Sequence, residues 1–270
     1  SGPQPQQPAP SQSVSLWLMS ASFLAAVAAR TADAATATRK PKIVLFVRHG
    51  QSLHNISSVA AHSDQGQDTT LYDAALSPLG EDQVAALAGH TELARAELAV
   101  VSPLTRTLQT LFGAFPDAGA QRASGPPVEV WPLAAEHMTD SCDIGTGASI
   151  LAQRFPSLRW QGLPEVWWYV DEETSATDPE DSRRRYRECG FMEPELTLRK
   201  RADRFVDALY ARPECVPPAG ATPRACVREP RRPCPCSARS VIAVFGHSDF
   251  FNDIFERHFE IYDYWLENAE

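Results

Sequence analysis

The sequence predicts an α/β protein, a three-layer α/β/α sandwich around a mostly parallel central sheet. Three observations carry this. The runs Ile43-Val44-Leu45-Phe46-Val47 and Val241-Ile242-Ala243-Val244-Phe245 are apolar throughout, as strands covered on both faces of a parallel sheet are. Apolar runs alternate with amphipathic segments along the chain, the pattern of βα units. Both runs end in glycine and histidine, as Arg48-His49-Gly50 and Gly246-His247. In open α/β sheets, ligands bind in the crevice outside the carboxyl ends of the strands.

The elements follow in order. Lys42–Val47 is the first strand, and residues 50–76 are a polar, irregular loop. Ser77-Pro78 starts a helix, because serine caps free amides and proline fits the first turn. Leu79, Val84, Leu87 and Ala88 give that helix its apolar face, and it ends near Gly89. Leu98–Val101 is a strand. Ser102-Pro103 repeats the capping pattern before a helix carrying Leu104, Leu108 and Leu111, and Val128–Trp131 is a third strand. A long helix over Leu196–Tyr210 turns Leu198, Ala202, Phe205, Val206 and Leu209 inward. Val241–Phe245 is the last strand and Ser248–His258 the last helix. No internal repeat is visible.

Composition bounds the rest. The chain has 270 residues, 43% of them apolar, and a net charge of −9. Residues 1–40 and 211–240 are net basic, which leaves a strongly acidic body. An acidic body argues against nucleic acid as a partner, since that needs a basic face toward phosphates. Any anion site must therefore be built from a few local arginines. Residues 1–40 read as a disordered leader or a targeting segment: Val14 to Ala29 is apolar but shorter than the ~20 residues of a membrane span, and Ala26-Val27-Ala28 fits a signal cleavage pattern. Arg30, Arg39 and Lys40, among alanines and threonines, also fit a transit segment. The compartment stays open, with the cytoplasm slightly favoured, and so does the oligomeric state. Residues 211–239, rich in Pro, Arg and Cys, are expected to be a flexible insertion. The spacing of Cys215, Cys226, Cys234 and Cys236 matches no common zinc pattern, so neither metal nor cofactor is expected.

Val47-Arg48-His49-Gly50-Gln51-Ser52-Leu53-His54-Asn55 resembles the R-H-G-[EQ]-S-x-x-N signature of the histidine phosphatase superfamily, the phosphoglycerate mutase-like fold. Asp73-Ala74-Ala75-Leu76-Ser77-Pro78-Leu79-Gly80-Glu81-Asp82-Gln83 resembles its L-[TS]-P-L-G-x-x-Q helix start, and Ser102-Pro103-Leu104-Thr105-Arg106-Thr107-Leu108-Gln109-Thr110 its S-P-L-x-R-T-x-Q-T element. Glu136 followed by Cys142-Asp143-x-Gly145 is similar to a eukaryotic phosphatase branch. Gly246-His247-Ser248 resembles the second histidine motif. The resemblance runs from residue 42 to about 260, with all five elements in family order, and implies a histidine phosphatase domain over 41–270.

The residue types fit that chemistry on their own. Arg48 and Arg106 offer planar forks for phosphoryl oxygens. They also disfavour an imidazolium nearby, which keeps His49 a nucleophile near neutral pH. His247 donates to the phosphoryl oxygens, and Asn55 adds a second neutral donor. Glu136 serves as general acid and then as the base that activates water, and its carboxyl is expected to be raised by burial. Adjacent His137 points elsewhere, because neighbouring side chains usually diverge. The expected catalytic set is therefore His49, Glu136, His247, Arg48 and Arg106, and the phosphate-binding set Arg48, Asn55, Arg106 and His247. His54, His62, His90 and His258 read as ordinary surface or core residues. Trp160, Trp167, Trp168 and Tyr169 read equally as a pocket-shaping insert or a satellite core. Arg183-Arg184-Arg185 with Arg187 reads as a solvated face, with a second anionic group of the substrate as the alternative partner.

The expected activity is a metal-independent phosphatase that hydrolyses the monoester of a small phosphorylated substrate through phosphohistidine. The alternatives are a phosphoglycerate-type mutase and a catalytically silent binding module. Loop 56–75 carries Asp64, Asp68 and Asp73 but no Lys or Arg. A mutase holding a bisphosphate needs the opposite charge there.

Overall fold

In a computed structural model the described residues are 16–19, 42–56, 71–120, 124–212 and 240–258. A five-stranded sheet runs through the molecule in the order β1-β2-β5-β3-β4. The strands are β1 (Leu16–Met19), β2 (Lys42–Arg48), β3 (Leu98–Val101), β4 (Val128–Val130) and β5 (Ser240–Gly246). β2, β5, β3 and β4 are mutually parallel, and β1 pairs antiparallel with β2 at the edge. β1 falls inside the stretch expected to be a leader. The remainder of residues 1–41, most of the acidic loop, and Cys215, Cys226, Cys234 and Cys236 lie outside the described residues.

Two cores confirm the three-layer sandwich. Alternate residues of a strand point to opposite faces. Leu45, Val47, Ala99, Val101, Ala243 and Phe245 accordingly face one core, and Val44, Phe46, Leu98, Val100, Ile242 and Val244 the other. The first face is covered by α1 (Pro78–Ala85), α2 (Thr105–Ala114) and α3 (Ala148–Arg154), together with the segment bearing Trp160, Trp167 and Trp168. These tryptophans are buried and belong to the main core, not to a satellite. The second face is covered by α5 (Glu195–Ala211) and α6 (Ser248–His258), with Phe46, Phe205, Phe250, Phe251 and Phe255 packed largely edge-to-face. α4 (Pro179–Cys189) carries Arg183 and Arg184, which pair on its surface with Glu180 and Asp181 one turn earlier. Sequence periodicity marks neither α3, which has seven residues, nor α4, which is almost wholly polar.

Register sets the site. Arg48 lies beside Gly246, and Val101 beside Phe245. The His49 amide donates to the Gly246 carbonyl at 3.1 Å and the Ser102 amide to the Phe245 carbonyl at 3.0 Å. Three chain segments far apart in sequence therefore leave the sheet side by side at its carboxyl edge.

α1 starts as expected, with the Ser77 hydroxyl accepting from the Gly80 amide at 3.0 Å and Pro78 in the first turn. It packs tightly on the loop after β2. A Cβ at Gly80 would lie 2.0 Å from the Gln51 carbonyl oxygen, and one at Gly50 2.8 Å from the Gly80 oxygen. α2 corrects the parallel expectation. It begins at Thr105, and Ser102 caps nothing in its first turn. Asp73 does that instead, accepting from the Thr105 amide and the Thr105 hydroxyl at 2.7 Å each. Asp73 reaches this position with φ of +47°, a left-handed conformation that aspartate tolerates better than most residues.

Candidate active site

His49, Arg48, Arg106, Glu136 and His247 meet at the carboxyl edge of β2, β5 and β3. The His49 and His247 ring centroids are 5.2 Å apart, so one tetrahedral oxyanion can touch both. The tautomer of His49 is fixed from two sides. Its Nδ1–H donates to the Gly50 carbonyl at 2.7 Å. Its Nε2 accepts from the Arg106 Nε–H at 3.2 Å. The lone pair is thus on Nε2, facing the cations. Burial, then the charges of Arg106 and Arg48, hold this imidazole well below its ordinary range.

His247 is fully buried. Its Nε2 is 2.8 Å from the Ser102 hydroxyl, which also accepts from the Leu104 amide at 3.4 Å. With the Ser102 hydroxyl donating to Nε2, a neutral His247 carries its own proton on Nδ1. Among the described residues that buried atom has no hydrogen-bond partner, and it is the donor an oxyanion would take up. Burial, with Arg106 and His49 next, also lowers this imidazole well below its usual range.

Arg106 is held as a fork. Nη1 donates to the Cys142 carbonyl at 2.8 Å and Nη2 to Asp143 Oδ1 at 2.8 Å. Asp143 Oδ2 accepts from the Thr139 and Asp140 amides at 3.2 and 3.1 Å. The Cys142 thiol is pushed far above its ordinary range by burial and by Asp143, which makes it a poor nucleophile. Arg48 lies within electrostatic reach of Glu136, Asp249 and Arg106.

Glu136 stands over the start of α6. Its Oε1 accepts from the His137 and Phe250 amides at 2.9 Å each, and Oε2 from the Asp249 amide at 3.4 Å. Burial, followed by the carboxylates of Asp249 and Asp143, pushes its carboxyl up to about 8, against the pull of Arg106. His137 turns the other way, its Nε2 2.8 Å from the Glu193 carbonyl. Asn55 Oδ1 accepts from the Ser52 amide and the Ser52 hydroxyl, both at 2.9 Å, which commits that oxygen to the loop.

Residues 44–188 match a sequence model of the histidine phosphatase superfamily, branch 1. The chain belongs to the histidine phosphatase superfamily. The match includes Arg48, His49, Arg106 and Glu136 and stops short of His247. Curated relatives of this superfamily member include a phosphoglycerate mutase-like protein of Arabidopsis thaliana, 41% identical over 78 residues, which are 27% of this chain and 28% of that protein. Phosphoglycerate mutase-like protein 2 of the same plant is 40% identical over 91 residues, 32% of this chain and 26% of the relative. The aligned parts thus span little more than a quarter of those relatives. Among solved structures, a mycobacterial hydrolase is 19% identical, with 77% of this chain and 76% of that one covered and a TM-score of 0.39. A mycobacterial glucosyl-3-phosphoglycerate phosphatase is 18% identical, with 77% and 75% covered and a TM-score of 0.38.

Several residues around this superfamily site were not singled out from sequence. Ser102 read as a helix cap and Asp73 as a loop charge, each otherwise only the first letter of a motif string. Asp143 was noticed only as part of a motif. His54, read as ordinary, lies 3.5 Å from Asp140 and adds to the field on His49. Glu193 and Arg201 carried no signal at all. Among the described residues no helix is long and apolar enough to cross a membrane, and no group of three His, Cys, Asp or Glu side chains is arranged to hold a metal.

Proposed function

We propose that the protein is a phosphatase that hydrolyses phosphate monoesters of small molecules through a phosphohistidine on His49, without a metal. The observation that carries this is the Nε2 lone pair of His49, fixed by the Gly50 carbonyl and faced by Arg106 and His247. A neutral imidazole with its second nitrogen already bonded is a ready phosphoryl acceptor.

Arg48, Arg106 and the Nδ1–H of His247 hold the phosphoryl oxygens and balance their charge in the in-line transition state. Asn55 contributes from the loop. Nε2 attacks phosphorus, the bond to the ester oxygen breaks, and Glu136 gives its proton to that oxygen. The carboxylate then takes a proton from water, whose oxygen attacks phosphorus. The N–P bond breaks, and inorganic phosphate leaves. A carboxyl near 8 is protonated at neutral pH and suited to the first step. The site chemistry favours water as acceptor, since the described side chains supply Arg48 and Arg106 for one phosphoryl group while Asp249 and Asp140 stand nearby. The names of the Arabidopsis relatives keep a mutase as the competing reading.

The deciding experiment traps the phosphoenzyme from a labelled aryl phosphate, with EDTA present. An acid-labile, base-stable adduct on His49, absent in His49→Ala and discharged to inorganic phosphate by water, is the expected result. An adduct discharged only to a phosphorylated acceptor would make the protein a mutase. No adduct and no turnover would leave a binding module. The kcat/KM profile should keep its acid limb below the usual histidine range and lose activity near pH 8, where Glu136 gives up its proton.

A further inference from the structure

Glu136 sits on irregular backbone between a 3-10 turn at Pro132–Ala134 and another at Ser141–Asp143. Neither helix nor strand fixes it, and its neighbouring carbonyls need partners. One side chain supplies them. Arg201, on α5, has five N–H donors, and all five are spent here. Nη1 donates to the carbonyls of Leu133 at 3.0 Å and Ala135 at 2.6 Å. Nη2 donates to the Glu136 carbonyl at 3.0 Å and to Glu193 Oε2 at 2.7 Å. Nε donates to Glu193 Oε1 at 3.1 Å.

Glu193 completes the grip. Its side chain is buried, and its Oε2 also accepts from the Met138 amide at 3.3 Å. Its own amide donates to the Met138 carbonyl at 2.8 Å. The guanidinium lies over the Phe250 ring, 5.1 Å from its centroid, and the Phe250 amide is the one that holds Glu136 Oε1. Backbone on both sides of Glu136, and the helix start that receives its carboxyl, thus converge on one ion pair.

We propose that the Arg201–Glu193 pair is a positioning device for proton transfer by Glu136: it sets the backbone that aims the carboxyl at the leaving oxygen. This rests on the reading of Glu136 as the proton donor. Arg201 and Glu193 touch no reacting atom; the charge of Arg201 also lowers the His247 imidazole, and a lysine at 201 keeps that charge while losing the fork, so the contribution tested is geometric. A displacement of about 1 Å in a reacting group costs on the order of 100-fold in rate.

The test compares kcat/KM for two esters of similar shape, benzyl phosphate and 4-nitrophenyl phosphate. The benzyl alkoxide needs a proton to leave, and the nitrophenolate does not. Glu136→Gln sets the benchmark for lost proton donation. Arg201→Lys, which keeps the charge but not the fork, should lower turnover of benzyl phosphate by on the order of 30- to 100-fold and of 4-nitrophenyl phosphate by less than about fivefold. Glu193→Gln keeps the volume and should show the same preference if Arg201→Lys does not fold. Equal losses on both esters would show a merely structural pair and overturn the proposal, as would no loss on either. If wild type turns over both esters and Glu136→Gln discriminates but the pair variants do not, this inference alone fails. Wild type inactive on both would bring down the phosphatase reading, and this inference with it.

Discussion

Replacing Asp143 by Asn removes a charge and changes almost no volume. The two side chains of the Arg106–Asp143 pair are 3% and 4% exposed, so solvent cannot take over as counter-charge. Both carboxylate oxygens face donors: Oδ1 the Arg106 guanidinium, Oδ2 two backbone amides. Asparagine has only one acceptor oxygen. Whichever way its amide turns, an NH2 group meets either a guanidinium or a pair of N–H groups. Breaking a buried pair from one side costs about 3–5 kcal/mol, because the remaining charge is left uncompensated. At roughly 2–4 °C per kcal/mol for a domain of this size, Tm should fall by about 6–20 °C at pH 7. Arg106 would also lose the contact that orients its Nε–H toward His49, and kcat should fall on the order of 100-fold. Thermal unfolding by circular dichroism and steady-state turnover of 4-nitrophenyl phosphate measure the two effects. A Tm within about 2 °C of wild type, with kcat within about threefold, would refute the claim that Asp143 holds Arg106 in place.

Glu136→Gln should separate function from stability. The wild-type carboxyl is raised from 4.5 to about 8 on folding, so the stability it adds is fully present below about pH 4.5 and lost as pH rises through 8. Chemical denaturation should therefore find the variant gaining on wild type between pH 5 and pH 9, by on the order of 2 kcal/mol after allowance for the partial exposure of Glu136. A constant difference across that range would contradict the raised carboxyl. Ser102→Ala removes the group proposed to keep the proton on His247 Nδ1. With about 1 kcal/mol at stake in one hydrogen bond, kcat should drop roughly fivefold with KM little changed, and an unchanged kcat would argue against that tautomer. Gly145→Ala places a Cβ 2.3 Å from the Trp167 ring and 2.6 Å from the Trp168 ring. Overpacking of this kind costs about 1–3 kcal/mol, readable as a lowered denaturation midpoint with altered tryptophan emission.

The parts legible in the sequence are those whose cause is local. Val44 to Val47 and Val241 to Phe245 read as strands because burial on both faces leaves no polar position, and the motif residues at their ends fell where parallel register puts them. α1 was legible because Ser77 and Pro78 are its own cap and first turn. α2 carries the same two letters, yet Ser102 is bonded to His247, and the cap comes from Asp73, 32 residues upstream. A window around Ser102 holds nothing that separates the two cases. Trp160, Trp167 and Trp168 left their reading divided for the same reason: periodicity is weak there, and their place in the main core depends on residues of other segments that cluster with them. Arg201 is the extreme case. On the α5 helical pattern it occupies a polar position like any solvated arginine, and its partners sit 8 to 68 residues away.

Two guanidinium groups beside two imidazoles would repel one another in an apolar crevice, and the fold answers each cation differently. Arg106 has its own buried carboxylate in Asp143. Arg48 has Glu136 and Asp249 within reach, both of which burial raises toward the neutral form. Asp143 thus pairs directly with Arg106, while part of the counter-charge to Arg48 rests on Glu136, which is held up to about 8. A phosphoryl dianion supplies the missing negative charge, and its arrival should in turn favour protonated Glu136, the form that can donate. Ligand binding and the readiness of the acid are thereby coupled through the same electrostatic imbalance. Phosphate affinity should accordingly weaken as pH rises through 8, even where the ligand itself no longer changes charge. A phosphate dissociation constant that stays flat from pH 7.5 to 9, measured by calorimetry, would show that Glu136 and the phosphate site titrate independently.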